Sequence, residues 1–237
     1  MHRIKRTILV TGASSGIGQA VSRQLQDNNH HVIGVSRDKS RLPDASSLFT
    51  PLTLDLNRLD DIPVWSKQTQ QDFPELDAVV FAAGFGHFAS LEEFSYAQIE
   101  QLMTVNFTAQ VFLTRALLPA LKQKSHANLI YIGSEAALQG SRKGSIYCAS
   151  KFALRGFTQA LRDECGKSSV RVSLINPGMV QTPFFDKLSF MPGTKDKQAL
   201  QAEDIADLVN YILNAGENVA IEEITVNPVN KVILFKK

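Results

Sequence analysis

The segment TILVTGASSGIG, residues 7–18, specifies a local structure more tightly than any other part of this sequence. Its apolar, β-branched start predicts a strand over 7–10, and the residues beyond the glycine-rich turn predict a helix over 16–28. Gly12 allows a tight turn, Gly16 lets the backbone approach a pyrophosphate, and Gly18 permits close helix–strand packing. Free amides at the helix start attract such an anion. The predicted ligand is a dinucleotide, contacted by Gly12, Ser14, Ser15, Gly16, Ile17 and Gly18.

Further positions narrow the type of nucleotide. Gln19 and Ala20 stand where a Walker loop would place a lysine and a hydroxyl residue, so a P-loop is not indicated. At the end of the second predicted strand, Ser36 and Arg37 offer donors and positive charge suited to a 2′-phosphate. The carboxylate of Asp38, which would favour NAD, comes one or two positions late. The sequence therefore favours NADP(H) over NAD(H), and a glycine-rich turn without a ligand is the remaining alternative.

Apolar runs alternate with helical segments along the whole chain, which is typical of an α/β fold. Strands are predicted at 7–10, 31–35, 48–56, 77–84, 128–134, 170–178 and 222–228. Helices are predicted at 16–28, 98–124, 145–166 and 202–215. We expect one Rossmann-type, doubly wound domain over 1–237, with a mainly parallel seven-stranded sheet and helices on both faces. A long irregular stretch at about 183–200 is the candidate substrate loop and mobile lid.

Composition excludes several classes of protein. A formal net charge of +2 over 237 residues gives no argument for nucleic acid. The basic start MHRIKR precedes an apolar run far shorter than a signal-peptide core, and no stretch is long enough to span a bilayer. Cys148 and Cys165 are too few for a disulfide framework and show no metal-binding pattern. We expect a cytoplasmic protein without metal or membrane partners.

A candidate catalytic group lies in the segment SIYCASKFAL. Tyr147 and Lys151 are four residues apart, so the phenol and the ammonium share one helical face. We expect the lysine charge to lower the pKa of the tyrosine from its ordinary value of about 10, which would allow proton exchange near neutral pH. Ser134 lies thirteen residues before the tyrosine.

Taken together, these motifs resemble the short-chain dehydrogenase/reductase family, and the resemblance runs from Thr11 to about Asn227. One motif departs from the family pattern: Phe81-Ala82-Ala83-Gly84 replaces Asn-Asn-Ala-Gly. The missing amides put in doubt one stabilising tie between neighbouring strands, but not the redox chemistry. The matching positions are 11–18, Asp55, Leu56, Ala83, Gly84, Asn106, Ser134, Tyr147, Lys151, Pro177, Gly178 and Thr182.

The resemblance implies a role for each matching residue. Tyr147 would exchange a proton with the substrate oxygen, and Ser134 would donate a hydrogen bond to that oxygen. Lys151 would hold the nicotinamide ribose, and Asn106 would anchor a water that links the lysine to solvent. Asp55, Leu56, Ala83 and Gly84 would contact the adenosine, while Pro177, Gly178, Val180 and Thr182 would surround the carboxamide.

The substrate is predicted to be a carbonyl compound or alcohol with an apolar body. His87 and Glu135 are the polar residues of an otherwise apolar candidate lining. They either bind a substrate hydroxyl or amine or lie at the rim of the site in water. A nonenzymatic NADP(H) sensor on the same fold is the alternative function. The candidate lining comprises Phe85, Phe88, Ala136, Ala137, Leu138, Met179, Phe184, Phe185, Phe190 and Met191.

Oligomerisation is also expected from the resemblance. In family members the helices at 98–124 and 145–166 pair with their copies, which predicts a homodimer or homotetramer. The apolar end at 232–235, followed by Lys236 and Lys237, is either a second interface or a frayed tail. The two helices provide more apolar surface than one sheet face need cover, from Val111, Phe112, Leu117, Leu118, Phe152, Leu154, Phe157 and Leu161.

Overall fold

Seven parallel strands form the central sheet in the computed structural model, which describes residues 5–216 and 218–236. The sheet order is the third, second, first, fourth, fifth, sixth and eighth strand, and the seventh and ninth form a separate antiparallel pair. This confirms the predicted seven-stranded Rossmann-type sheet. In chain order the strands are β1 (Thr7–Thr11), β2 (His31–Ser36), β3 (Phe49–Thr53), β4 (Leu76–Phe81), β5 (Ala127–Ile132), β6 (Val170–Pro177), β7 (Phe190–Pro192), β8 (Glu223–Val226) and β9 (Ile233–Phe235).

Helices cover both faces of the sheet, as the doubly wound prediction requires. They are α1 (Gly16–Asp27), α2 (Asp61–Asp72), α3 (Tyr96–Met103), α4 (Ala109–Leu121), α5 (Ser145–Cys165) and α6 (Ala202–Leu213). Helices α1 and α6 pack together over one face, and α2, α4 and α5 contribute to the core on the other. Within the described ranges, no helix combines the length and apolar character needed to cross a bilayer.

The alternation of side chains along β1 shows how the sequence builds both layers. Ile8 and Val10 pack on the α1/α6 side with Val21, whereas Leu9 packs on the opposite side with Leu113. All five are fully buried. Burial of each such side chain contributes about 1.5–3 kcal/mol, so a strand enclosed on both sides needs an unbroken apolar sequence.

The chain's own core covers part of the apolar surface of α4 and α5. Leu117, Leu154 and Leu161 are buried there, so these three side chains are not available to a second copy. The sequence could not separate them from the exposed ones, because an apolar stripe on a helix does not reveal which part of it the sheet covers. Phe112 and Phe152 remain substantially exposed on α4 and α5.

The predicted helix over 98–124 is interrupted. A π-helical turn at Thr104–Thr108 separates α3 from α4. Such turns insert an extra residue into the helical ladder and often occur at functional sites. Here the turn carries Asn106, which is fully buried.

The strand order places one edge of the sheet at a topological switch point. Strand β1 lies between β2 and β4, so the chain leaves β1 toward one side and later returns to the other. In open α/β sheets, ligands bind in the crevice outside the carboxyl ends of the strands at such a point. The glycine-rich turn follows β1, and Ser134 lies beyond the end of β5 at the same edge.

The C-terminal segment is tied to the candidate substrate loop. Strand β9 pairs with β7, with Phe235 opposite Phe190 and Ile233 opposite Pro192. The expectation of a frayed tail is therefore wrong for residues 233–235. Residues 1–4 of the basic start, Glu217 and Lys237 lie outside the described part of the chain.

Candidate active site

The turn after β1 is shaped by close backbone contacts. Gly12 has a φ of 71°, and a Cβ there would lie 2.9 Å from the backbone of Ala83. A Cβ at Gly18 would overlap the carbonyl oxygen of Gly12. Gly16 has a φ of 53°, and a Cβ there would lie 3.3 Å from Cβ of Thr182. Any side chain at these positions would fill the cradle that the bare backbone leaves.

The start of α1 is suited to hold a phosphate. Ser15 is the N-cap residue, yet its hydroxyl makes no capping bond, and the first turn contains no acidic side chain. The first amides of a helix have no partner within the helix, and the helix dipole adds partial positive charge there. The glycine cradle and these donors together fit the pyrophosphate of a dinucleotide.

At the end of β2, the acidic side chain is directed into a local turn. The carboxylate of Asp38 accepts from the Ser40 amide at 3.0 Å and from the Ser40 hydroxyl at 2.6 Å. Ser36 Oγ accepts from the Asp38 amide at 3.3 Å, and Arg37 is exposed. One oxygen of the Asp38 carboxylate is thus engaged in the local turn, and the exposed Arg37 guanidinium precedes it at this strand end.

Asp55 and Leu56 lie beyond β3 near the same edge. Asp55 Oδ1 accepts from both nitrogens of Asn57, at 3.0 Å from the amide and 3.1 Å from the side chain. Leu56 is buried in the core. The structure gives both residues a role in shaping the loop, and their contact with adenosine stays a prediction.

The departure from Asn-Asn-Ala-Gly does not leave β1 and β4 without a tie. The amide of Ala83 donates to Thr11 Oγ1 at 3.1 Å, and its carbonyl accepts from Gln110 Nε2 at 3.2 Å. Thr11 and Gln110 thus hold the backbone at Ala83, directly after the two positions where the family pattern has asparagines. The sequence had not singled out either residue for this task. In this structure they supply the tie that the missing asparagines had put in doubt.

Asn106 holds the backbone next to this motif. Its Oδ1 accepts from the Phe85 amide at 3.0 Å, and its Nδ2 donates to the Phe85 carbonyl at 3.0 Å. Nδ2 also lies 3.3 Å from Ser150 Oγ. A Cβ added to Gly84 would lie 3.2 Å from Asn106 Oδ1 and 3.8 Å from Lys151 Nζ, so the two side chains flank Gly84. The side chain of Asn106 has a positioning role here, and its proton relay stays a prediction.

Ser134 and Tyr147 meet as the sequence predicts. Ser134 Oγ accepts from the Ala136 amide at 3.1 Å, which leaves the hydroxyl proton free to donate. The same hydroxyl forms a side-chain hydrogen bond with Tyr147. The tyrosine is only 7% exposed, so its phenol lies in a largely dry environment.

The predicted effect of Lys151 on Tyr147 is wrong in this structure. Burial raises the pKa of Tyr147 to about 12, even though the hydrogen bond with Ser134 lowers it. Lys151 Nζ lies 5.9 Å from the centre of the tyrosine ring and donates to the Ile132 carbonyl at 3.0 Å. Burial also lowers the pKa of Lys151 to about 8. Helical spacing placed both residues on one face, but desolvation dominates the electrostatics.

The segment after β6 closes the cofactor side of the site. The Gly178 amide donates to the Val226 carbonyl at 2.8 Å, and Val180 forms a bridge with Leu200. Thr182, two residues further on, faces Gly16. The structure thus brings Thr182 against the glycine-rich turn, and the contact of this segment with a carboxamide stays a prediction.

Aromatic side chains cover Tyr147. The rings of Phe88 and Phe184 lie 5.0 Å and 6.0 Å from the tyrosine ring. Phe190 and Phe185 extend this group, with Phe190 lying 5.0 Å from Phe88 and 5.8 Å from Phe185. We call these four phenylalanines the aromatic cluster. The cluster comes from two distant segments and forms an apolar wall at the phenol.

Two polar residues of the predicted lining have partners. Glu135 forms an ion pair with Lys231 at 2.6 Å, and His87 packs on Phe94 with ring centres 4.7 Å apart. Lys231 comes from the C-terminal segment, and the sequence gave no signal for this contact. Cys148, next to Tyr147 in the sequence, is buried with its sulfur near Ser141.

One further polar residue near Ser134 was not singled out from the sequence. Asn176, at the end of β6, accepts from the Ser134 amide at 3.3 Å and is fully buried. An amide side chain next to the end of a predicted buried strand was the available signal, because buried polar groups need specific partners.

Comparisons with known proteins agree with this geometry. A family model described as short chain dehydrogenase matches residues 6–192. An uncharacterized oxidoreductase from Staphylococcus epidermidis is 30% identical, and the alignment covers 97% of this chain and all of the relative.

Solved structures share the fold. An alcohol dehydrogenase from the archaeon Thermococcus sibiricus, complexed with 5-hydroxy-NADP, superposes with a TM-score of 0.85 at 24% identity, covering 97% of this chain and 99% of the other. A metagenomic short-chain oxidoreductase in complex with NADP gives a TM-score of 0.81 at 28% identity, covering 94% and 97%.

Proposed function

Because this chain belongs to the short-chain dehydrogenase family, we propose that it is an NADP(H)-dependent enzyme that interconverts a carbonyl compound and its alcohol. The observation that carries this proposal is the meeting of Ser134, Tyr147 and Lys151 beside the glycine-rich turn. Ser134 bonds Tyr147, and Lys151 lies one helical turn further along α5. When bound, the dinucleotide supplies or accepts the hydride.

Tyr147 acts as the general acid in the direction of reduction. A pKa of about 12 keeps the phenol protonated at neutral pH, so the tyrosine holds the proton that a carbonyl oxygen needs as negative charge develops on it. Ser134 donates a second hydrogen bond to the same oxygen, because the Ala136 amide contacts only the acceptor side of the hydroxyl and leaves its proton available. In oxidation, the phenolate accepts the alcohol proton.

Lys151 prepares the site for the cofactor. Its ammonium lies beside Gly84 and above the end of β5, where it holds the ribose hydroxyls. Burial lowers the pKa of Lys151 to about 8, so the ammonium loses its proton more easily than that of an exposed lysine. A bound anionic ligand would stabilise the charged form. Asn106 supports this arrangement by fixing the backbone at Phe85.

The preference for NADP(H) rests on the end of β2. Ser36 and the exposed Arg37 would receive the 2′-phosphate, while Asp38 comes one position later and has Oδ1 engaged by Ser40. The metagenomic relative solved with NADP supports the same choice.

The substrate is a carbonyl compound with an aliphatic or aromatic body. The aromatic cluster supplies apolar contacts next to the phenol, and the pair of Glu135 and Lys231 lies at its margin. The loop at 183–200 and the residues after Ser134 determine which compound fits.

A substrate panel tests the reaction. Ketones, diketones and aldehydes are offered with NADPH or NADH, and oxidation of the cofactor is followed by absorbance. We expect turnover with NADPH for apolar carbonyl compounds. Tyr147→Phe, the matched variant that lacks only the hydroxyl, should lower kcat by about 10³-fold and leave NADPH affinity unchanged. Tight NADPH binding without turnover across the panel would favour the NADP(H) sensor.

Cofactor choice is tested separately at Arg37. Arg37→Asp should reverse the preference toward NAD, because a carboxylate repels the 2′-phosphate and accepts from the ribose hydroxyl. Lys39→Asp, which changes an exposed charge two residues away, is the control. An unchanged ratio of kcat/KM for the two cofactors in Arg37→Asp would remove Arg37 from this role.

We also propose a homodimer or homotetramer formed through α4 and α5. Phe112 and Phe152 are 39% and 44% exposed on these helices, which leaves large aromatic side chains for a second copy to cover. Light scattering at working concentration tests this assembly, and a monomeric mass would contradict it.

A further inference from the structure

A chain of partly buried hydrogen bonds, with the fully buried Asn176 at its centre, leads from Ser134 to the edge of the sheet. Asn176 Oδ1 accepts from the Ser134 amide at 3.3 Å, and Asn176 Nδ2 donates to Glu223 Oε1 at 2.8 Å. Arg155 Nε donates to the same Glu223 oxygen at 2.9 Å. These hydrogen bonds thus connect the end of β5 with β6, β8 and α5 through the Ser134 amide and the side chains of Asn176, Glu223 and Arg155.

We propose that Asn176 is a positioning residue that sets the direction of the Ser134 hydroxyl, and that Glu223 and Arg155 hold it in this orientation. The inference rests on the proposed function, because it assigns Ser134 to the substrate oxygen. It adds three residues to the site that no motif of the family resemblance included.

The orientation of the Asn176 amide follows from chemistry. A carboxylate only accepts hydrogen bonds, so the amide nitrogen must face Glu223 and the amide oxygen must face Ser134. Asn176 is fully buried, where an amide group without a partner would cost about 1–3 kcal/mol. A rotation of the amide by half a turn would lose both bonds at once, which locks the side chain in place.

The residue before Ser134 is adapted to this contact. A Cβ at Gly133 would overlap Asn176 Oδ1, so the absence of a side chain lets the amide reach the backbone. The Gly133 amide donates to the Ile175 carbonyl at 2.7 Å, directly beside the Ser134–Asn176 bond. Two consecutive amides are therefore fixed immediately before the Ser134 side chain.

The last residue of this hydrogen-bond chain, Arg155, lies on α5, the helix that carries Tyr147. Tyr147, Lys151 and Arg155 are spaced by four residues on α5 and share one side of it. Through Arg155, Glu223 and Asn176, the helix that carries the proton donor is connected to the strand end that carries Ser134. This closed connection holds the two donors to the substrate oxygen at a fixed separation, which is a requirement of preorganised catalysis.

An exchange of charge between two positions tests this inference. Asn176→Asp keeps an acceptor for the Ser134 amide but sets a carboxylate against Glu223, and the repulsion should turn the side chain away. In the double variant Asn176→Asp/Glu223→Gln, the donor and the carboxylate have changed places, so the contacts with Ser134 and Arg155 can form again. Asn176→Leu removes both bonds at similar volume.

Ser173→Ala is the matched control. Ser173 is also buried on β6, and its hydroxyl donates to the Ile221 carbonyl at 2.6 Å, just before β8. Its loss weakens the connection between the same parts of the chain but does not involve Ser134. We expect its kcat and KM to stay close to those of the parent protein.

Kinetics and binding are measured together. For Asn176→Leu and Asn176→Asp we expect kcat to fall about 10²-fold, as for the loss of one oxyanion donor, with NADPH affinity within about twofold of the parent. The rise of alcohol oxidation with pH should move to higher pH, because the Ser134 hydrogen bond that favours the Tyr147 phenolate is weakened. The double variant should regain at least about tenfold of the lost kcat.

Amide exchange of Ser134, followed by NMR, gives a readout that does not need turnover. Protection of this amide should fall in Asn176→Leu and Asn176→Asp and return in the double variant. If the parent protein shows no turnover, the proposed function fails, but the exchange result still decides the link between Asn176 and Ser134. Unchanged protection in Asn176→Leu, or a double variant no better than Asn176→Asp in both readouts, would overturn the inference.

Discussion

Replacement of Lys151 by methionine should make the protein more stable at neutral pH while removing its activity. Burial lowers the pKa of Lys151 from 10.5 to about 8. Each pKa unit corresponds to about 1.4 kcal/mol, so the folded state is disfavoured by about 3 kcal/mol wherever the unfolded lysine is fully charged and the pH lies below 8. Methionine has a similar shape without this cost.

Part of the gain is offset by one lost hydrogen bond. Lys151 Nζ donates to the Ile132 carbonyl, and a methionine leaves that carbonyl without this donor at a cost of about 1 kcal/mol. The net expectation at pH 7 is a gain of about 2 kcal/mol in the free energy of unfolding, or about 5 °C in Tm for a chain of this length.

The sign of the pH dependence distinguishes this account from a general packing effect. Because the folded pKa lies below the unfolded value, the penalty is absent above pH 10.5, grows as the pH falls to 8, and is constant below that. Urea unfolding of both proteins at pH 7 and pH 10.5 measures the difference, and Lys167→Met serves as an exposed control on the same part of the chain. A Lys151→Met variant that is no more stable than the parent at pH 7, or equally more stable at both pH values, would refute the reasoning.

Three further outcomes are expected. NADPH affinity should fall by about tenfold per pH unit above pH 8, because binding requires the Lys151 ammonium; fluorescence titration should show this slope in the parent and not in Lys151→Met. Gly18→Ala should abolish NADPH binding, since its Cβ meets the Gly12 carbonyl, whereas Gly140→Ala, with open space around it, should bind normally in the same titration. Deletion of 232–237 should raise KM for the carbonyl substrate about tenfold with little change in kcat, as steady-state kinetics will show, because β7 loses its partner. An unchanged KM would mean that β9 does not support the substrate loop.

The sheet was predictable because its strands are enclosed on both faces. In β1 the unbroken run of apolar residues reports burial on both sides directly, and the glycine-rich turn identifies the strand that leads into the site. The position of Ser134, Tyr147 and Lys151 followed from the same order of strands and helices. In each of these cases, the residues that carry the sequence pattern are the same residues that form the local structure.

Contacts between distant segments were not predictable in the same way. Asn106 bonds a backbone group 21 residues away, and the π-helical turn that presents it has no periodicity of its own. The burial that raises the pKa of Tyr147 depends on Phe88 and Phe184, which come from two segments far apart in the sequence. Strands β7 and β9 are three residues long, too short for an alternating pattern to be read.

The pairing of β9 with β7 has a practical meaning for laboratory work. A tag or reporter fused after Lys236 would emerge within a few residues of the substrate loop, because Lys236 is bonded to Ser189 and to the carbonyl of Asp186. A fusion placed before Lys5 instead joins the chain at the amino end of β1, on the side of the sheet away from Ser134 and Tyr147. Kinetic constants from differently tagged preparations should therefore differ, and the N-terminal position is the safer choice for assays.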